Sequence, residues 1–137
     1  MPVAVAHLPS STGHVALREA AQQAVQRRTS LTVIHVVDAV DLDVDAAHQA
    51  GLSDEIGTVL AEAGISDLKW ELRLAAAADQ TDDTADTVLA LAHKASADLL
   101  VIGARRRSPV GKAILGSVTQ KIILDADFPV LVVKAAG

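Results

Sequence analysis

The residues best suited to chemistry lie close together in the chain. Arg105, Arg106 and Arg107 follow Gly103 at a distance of two positions, and Gly111-Lys112 and Gly116-Ser117 come shortly after. In a chain with a formal net charge of −5, this is a local excess of cation whose natural counterpart is an anion. Guanidinium forks match pairs of phosphate oxygens. Gly103 lets a ligand approach the main chain closely, and a helix opening at Gly116-Ser117 would aim the unpaired N–H groups of Ser117, Val118 and Thr119 at whatever lies before it. Gly111-Lys112 suggests a P-loop, but that motif needs a glycine five residues before its Gly-Lys and a Ser or Thr directly after. Arg106 and Ala113 stand in those places. A plainer alternative stays open from the residues alone: Ser117 caps its own helix, Gly103 and Gly116 serve turns, and the arginines form a solvated face.

Other chemistries are poorly supported. The chain has no cysteine, which removes disulfide, thiolate and zinc-thiolate chemistry. Asp41, Asp43 and Asp45 begin like a calcium loop, but Ala46 replaces the glycine and Leu52 the glutamate that such a loop needs, which leaves a solvated acidic loop. The five histidines, His7, His14, His35, His48 and His93, show no metal-ligand spacing along the chain. His35, inside an apolar run, reads as a hydrogen-bonded core histidine. His7 and His14 flank the first loop, where a turn or cap role competes with ligand contact. No Ser-His-Asp or paired-carboxylate arrangement emerges, so no catalytic residue is assigned.

The elements that must position the basic cluster can be read from periodicity. With 137 residues, 50 % of them hydrophobic but only one Phe, one Trp and no Tyr, the core must be aliphatic and the chain one domain spanning residues 1–137. Strand patterns run from Val3 to His7, Leu31 to Val37, Lys69 to Leu74, Leu99 to Ile102 and Val130 to Val133. Between Lys69 and Leu74, apolar and polar residues alternate, which marks a sheet edge. Leu17, Ala20, Ala21, Ala24 and Val25 share a helical face after the turn-rich Pro9 to Gly13 segment. A weaker helical pattern covers Asp54 to Ala63, another opens at Thr81 or Asp82, and Ser117 to Gln120 has capping-box spacing at the start of a last helix. Alternating strands and helices define an α/β class with a mostly parallel five-stranded sheet. In such sheets ligands settle beyond the carboxyl ends of the strands where the strand order reverses, and a loop after Ile102 would lie there.

The composition also narrows the partners. An acidic chain with three arginines in one loop lacks the extended basic face that nucleic-acid binding draws on. The N-terminal run has no basic n-region, and no apolar stretch reaches the roughly 18 residues of a membrane span, so a cytoplasmic protein with no membrane partner is expected.

Gly103-Ala-Arg-Arg-Arg, then Gly116-Ser117, a helix and Asp127-Phe-Pro-Val-Leu-Val-Val-Lys134 together resemble the universal stress protein family. Leu31 to Asp38 is similar to the family's second strand, and Ala16-Leu17 sits where its first helix begins. The resemblance implies a three-layer Rossmann-like fold of the adenine nucleotide alpha hydrolase-like kind, with strand order 3-2-1-4-5 and helices on both faces. It also implies a homodimer and, in one branch of the family, ATP held between the ends of the first and fourth strands. Mg²⁺ would enter only with the nucleotide. On that pattern Gly103 lies under the ribose and phosphates, Gly116, Ser117, Val118 and Thr119 bind the phosphates, and the main chain of Val36 meets the adenine, with Arg105 and Arg106 in the loop beside them.

Two positions depart from the pattern. Arg106 takes the place of the family's second glycine, and Leu8 that of the acidic residue that reads the adenine. Arg106 either fills the phosphate site or substitutes a charged contact for a backbone one. Losing a buried polar partner at Leu8 relaxes selection for the base. The expected function is therefore an adenine-nucleotide-binding, stress-linked regulatory module with at most slow ATP hydrolysis. The rival is a dimeric interaction protein that has lost nucleotide binding. Val130 to Val133 is apolar on both faces and would be a bare sheet edge; pairing with its copy about a two-fold axis would cover it.

Overall fold

A computed structural model describes residues 1–7, 11–38, 46–77, 81–106, 113–114 and 116–134. The elements, in order, are β1 (Val3–Ala6), α1 (Ser11–Gln26), β2 (Leu31–Asp38), α2 (Ala46–Glu62), β3 (Trp70–Ala77), α3 (Thr81–Lys94), β4 (Leu99–Arg106), β5 (Ala113–Ile114), α4 (Ser117–Asp125) and β6 (Val130–Lys134). β1 pairs in parallel with β2 and β4, β2 with β3, and β4 with β6. The main sheet thus runs β3-β2-β1-β4-β6, all parallel, and β6 is the fifth strand that the order 3-2-1-4-5 requires. β5 is an antiparallel addition to the far end of β4.

The chain winds outward from β1 to β3 and then returns through α3 to β4, so the order reverses between β1 and β4. Period-two alternation sends successive strand residues into opposite cores. Val3, Val5, Leu31, Val33, Leu99 and Val101 meet Leu17, Ala20, Ala24, Ile56 and Leu60 of α1 and α2. Ala4, Ile34, Leu100 and Ile102 meet Ala85, Val88, Ala92 and Ile122 of α3 and α4. Leu17, Leu31, Ile34, Ile56, Leu100 and Ile122 are fully buried, and each contributes about 1.5–3 kcal/mol through area removed from water.

Several elements differ from the sequence expectation. α1 begins inside the supposed turn and carries a buried Gly13, because packing on the sheet outweighs turn composition. Val25 points outward at 52 % exposure, off the apolar face it was assigned to. α2 starts well before Asp54, held by Leu52, Ile56, Val59 and Leu60 despite Gly51 and Gly57 within it. β3 runs on to Ala77 along β2. The buried strand that begins at Leu99 does not give way to a loop at Gly103. It continues through Arg106, because Gly103 and Ala104 stay in the ladder opposite Val133 and Lys134, and Arg105 and Arg106 pair with Ile114 and Ala113.

The first three helices end in one way. Arg28, Gly64 and Ser96 have φ of 56°, 75° and 58°. Each sits between two reverse hydrogen bonds, such as Thr29 N–H to Ala24 O at 3.0 Å and Arg28 N–H to Val25 O at 3.1 Å. This is the Schellman pattern that satisfies the last carbonyls of a helix.

Candidate functional site

β1 is four residues long and its neighbours β2 and β4 are eight each. The β1–β2 ladder ends at Ala6↔Ile34 and the β1–β4 ladder at Val5↔Val101. Beyond those pairs, residues 35–38 of β2 and 102–106 of β4 run on as two walls with no β1 strand between them. Among the described residues this leaves a notch at the carboxyl end of the sheet, at the point where strand order reverses, which is where ligands bind in folds of this kind. Val36 and Gly103, two of the expected ligand contacts, stand on opposite walls. Val36 turns its side chain into the core beneath α3 and α4 and pairs with Ala75 on its outer side.

The helix that should supply phosphate donors also opens at this end. β6 is parallel to β4 and α4 leads directly into it, so α4 runs from the carboxyl end of the sheet back to the amino end. Its N-cap is Gly116, extended at φ −70° and ψ 164°, and no side chain among the described residues caps it. Ser117 is therefore the first helical residue and does not cap its own helix; the capping-box expectation fails because the chain turns helical one residue early. Gln120 N–H is the first to reach back, to Gly116 O at 3.0 Å. The N–H groups of Ser117, Val118 and Thr119 precede it, which is the anion-binding arrangement of a helix start. Gly116 and Ser117 are exposed, and Thr119 is buried.

The side chains of Arg105 and Arg106, and all of Leu8, Arg107, Gly111-Lys112 and the Asp41 to Asp45 run, lie outside the described residues. An open depression of about 600 Å³ lined by Arg28, Ser30, Asp67 and Lys69 sits at the opposite, amino-end rim and holds none of the expected residues.

At the floor of the notch is His7, 2 % exposed. Its N–H donates to Ile34 O at 2.8 Å, which extends the β1–β2 ladder by one bond. Its Nδ1 lies 3.5 Å from Nδ1 of His35, the rings tilted at 51°, and His35 Nδ1 is 3.3 Å from the His7 carbonyl. His35 is buried and hydrogen-bonded, as the sequence indicated. Nε2 of His7, on the other side of its ring, is buried without a partner among the described residues. Burial, and then the neighbouring His35, push the His7 ring down from 6.5 to about 4, with Glu55 opposing and His14 reinforcing the shift. At neutral pH the imidazole is uncharged.

His14, in the first turn of α1, places Nε2 2.6 Å from Oε1 of Glu55 in α2. One ligand atom each from His7, His14 and Glu55 falls within 4.8 Å of the others. Spacing along the chain gave no sign of this cluster, since three separate elements supply it. The available signal was His7 and His14 flanking the first loop, and nothing in the sequence placed Glu55 beside them.

An open parallel sheet covered by helices on both faces, with a notch at its switch point, defines a three-layer Rossmann-like α/β domain. Residues 1–134 match the universal stress protein family, and the chain belongs to it. It is 36 % identical over 135 residues, 98 % of each chain, to a universal stress protein of Mycolicibacterium smegmatis. A universal stress protein structure from Archaeoglobus fulgidus superposes with a TM-score of 0.75 at 29 % identity, covering 96 % of this chain and 97 % of that one. A universal stress protein from the same organism in complex with dAMP superposes at 0.70 with 24 % identity, covering 96 % of each chain.

Proposed function

We propose that this universal stress protein binds an adenine nucleotide, ATP or a relative of it, in the notch over β1 and acts as a stress-linked regulatory module. The observation that carries this is the N-terminus of α4, led by Gly116 and without a side-chain cap among the described residues, at the same end of the sheet as the notch. A helix start with free N–H groups favours anions, and the dAMP complex of an Archaeoglobus fulgidus relative lends support. In the proposal Gly116, Ser117, Val118 and Thr119 hold the phosphates. Gly103, Arg105 and Arg106 line the β4 wall, and the main chain of Val36 meets the base. Mg²⁺ enters only as a companion of the nucleotide. No general base is assigned, so at most slow ATP hydrolysis is expected.

Assembly as a homodimer through β6 is part of the same proposal. The strand is half-buried and apolar, and pairs with β4 on one side only among the described residues. Sedimentation of the purified chain should give a dimer; a monomer at micromolar concentration contradicts this.

The second reading is a dimeric interaction protein without nucleotide. It is favoured by Arg106, which occupies a strand position where nucleotide-binding relatives are expected to have glycine. Calorimetric titration with ATP, ADP, AMP and cyclic AMP separates the two: heat at one site per chain supports the first, and its absence under all four supports the second. Among the described residues no helix is long and apolar enough to cross a membrane.

A further inference from the structure

We propose that His7, His14 and Glu55 form a binding site for one divalent transition-metal ion of the zinc class, held by side chains of this chain and independent of any nucleotide. The donor set is two imidazoles and one carboxylate, which suits zinc and its first-row neighbours and not calcium or magnesium, which prefer all-oxygen sites. The second observation is the orphaned atom: Nε2 of His7 is buried with no hydrogen-bond partner among the described residues. A buried imidazole nitrogen without a partner is costly, and a metal bond would satisfy it.

The geometry is close to what an ion needs. With bonds of about 2.1 Å, a tetrahedral metal holds its ligand atoms about 3.4 Å apart. The His14–Glu55 separation of 2.6 Å must open, and any separation near the 4.8 Å limit must close, each by roughly an ångström, within reach of side-chain rotation. Metal at Nε2 leaves the His7 proton on Nδ1, 3.5 Å from Nδ1 of His35, which accepts it by giving up its own donation to the His7 carbonyl. Such an outer partner fixes the tautomer and orientation of a metal-bound histidine.

Three protein ligands leave a coordination position open. The side chains of His14 and Glu55 are 37 % and 33 % exposed, so that position faces the solvent side of the cluster. The ion ties the end of β1 to α1 and α2, one ligand from each, at the floor of the notch.

The test uses the full chain, free of any histidine tag, stripped with chelator and without nucleotide. Titration with Co²⁺ should give one equivalent bound with visible absorption bands of nitrogen and oxygen ligation, displaced by Zn²⁺, and Zn²⁺ should raise the melting temperature. His14→Gln and Glu55→Gln replace half-exposed groups, so both chains should fold in chelator with unchanged circular dichroism, yet each should lose at least about tenfold in Co²⁺ affinity. His93→Gln, an exposed histidine outside the cluster, should bind as the parent does. The proposal is overturned if the parent shows no stoichiometric Co²⁺ binding below about 0.1 mM, or if His14→Gln and Glu55→Gln bind as tightly as His93→Gln.

Discussion

Ala6 and Ile34 are the last paired residues of the β1–β2 ladder, and past them β2 continues to Asp38 without its inner neighbour. That single mismatch in strand length creates the notch. It leaves His7 as the floor, the end of β4 as the opposite wall, and the start of α4 at the same end.

Gly57 lies inside α2, and a Cβ built on it meets nothing within 4 Å. Glycine costs a helix interior about 0.5–1 kcal/mol relative to alanine. Gly57→Ala should therefore raise unfolding free energy by about that amount, read as a higher denaturant midpoint with unchanged slope. A loss of stability would mean that the site is not open as described.

His7 supplies a pH dependence. Its folded value is about 4 against 6.5 for the free side chain, so the unfolded chain binds the proton more readily. Its contribution is complete above pH 6.5, is lost as pH falls from there toward 4, and is on the order of 3 kcal/mol at full size. His35, Glu55 and His14 face the ring and shape the curve. Measured in chelator, stability should fall over that window, and the ring resonance of His7 should stay that of neutral imidazole at pH 5. A His7 resonance titrating near 6.5 contradicts the assignment.

Arg106 decides between a charged phosphate contact and a blocked site. In the nucleotide proposal it supplies charge, so Arg106→Gly should weaken ATP binding by about five- to tenfold and flatten its salt dependence. Tighter binding by Arg106→Gly would mean that the arginine obstructs the site.

The alternation of strands and helices was legible because aliphatic runs and helical periodicity are local signals, whereas the strand order came from the resemblance to the universal stress protein family. Gly116-Ser117 was legible as a helix start from its residue types. The extension of β4 through Gly103 to Arg106 was not, because glycine and arginine carry no strand signal and pairing with β5 and β6 supplies it. α2 was half-seen, since Gly51 and Gly57 hide a helix that packing maintains. His7 and His14 were legible as the two flanks of the first loop, but Glu55 was not, because tertiary folding alone brings α2 to them.

The most direct test of nucleotide binding at this notch is ATP titration of the parent chain beside Gly116→Asp. The position has open space for a side chain and is the N-cap of α4. Aspartate is a better cap than glycine and its charge favours a helix start, so the variant should fold with equal or slightly greater stability. The same carboxylate takes the N–H groups that would hold phosphate and repels the anion. The expected result is saturable ATP binding by the parent, at least about tenfold weaker in Gly116→Asp. No binding by the parent, or equal binding by both, would contradict a nucleotide site at α4.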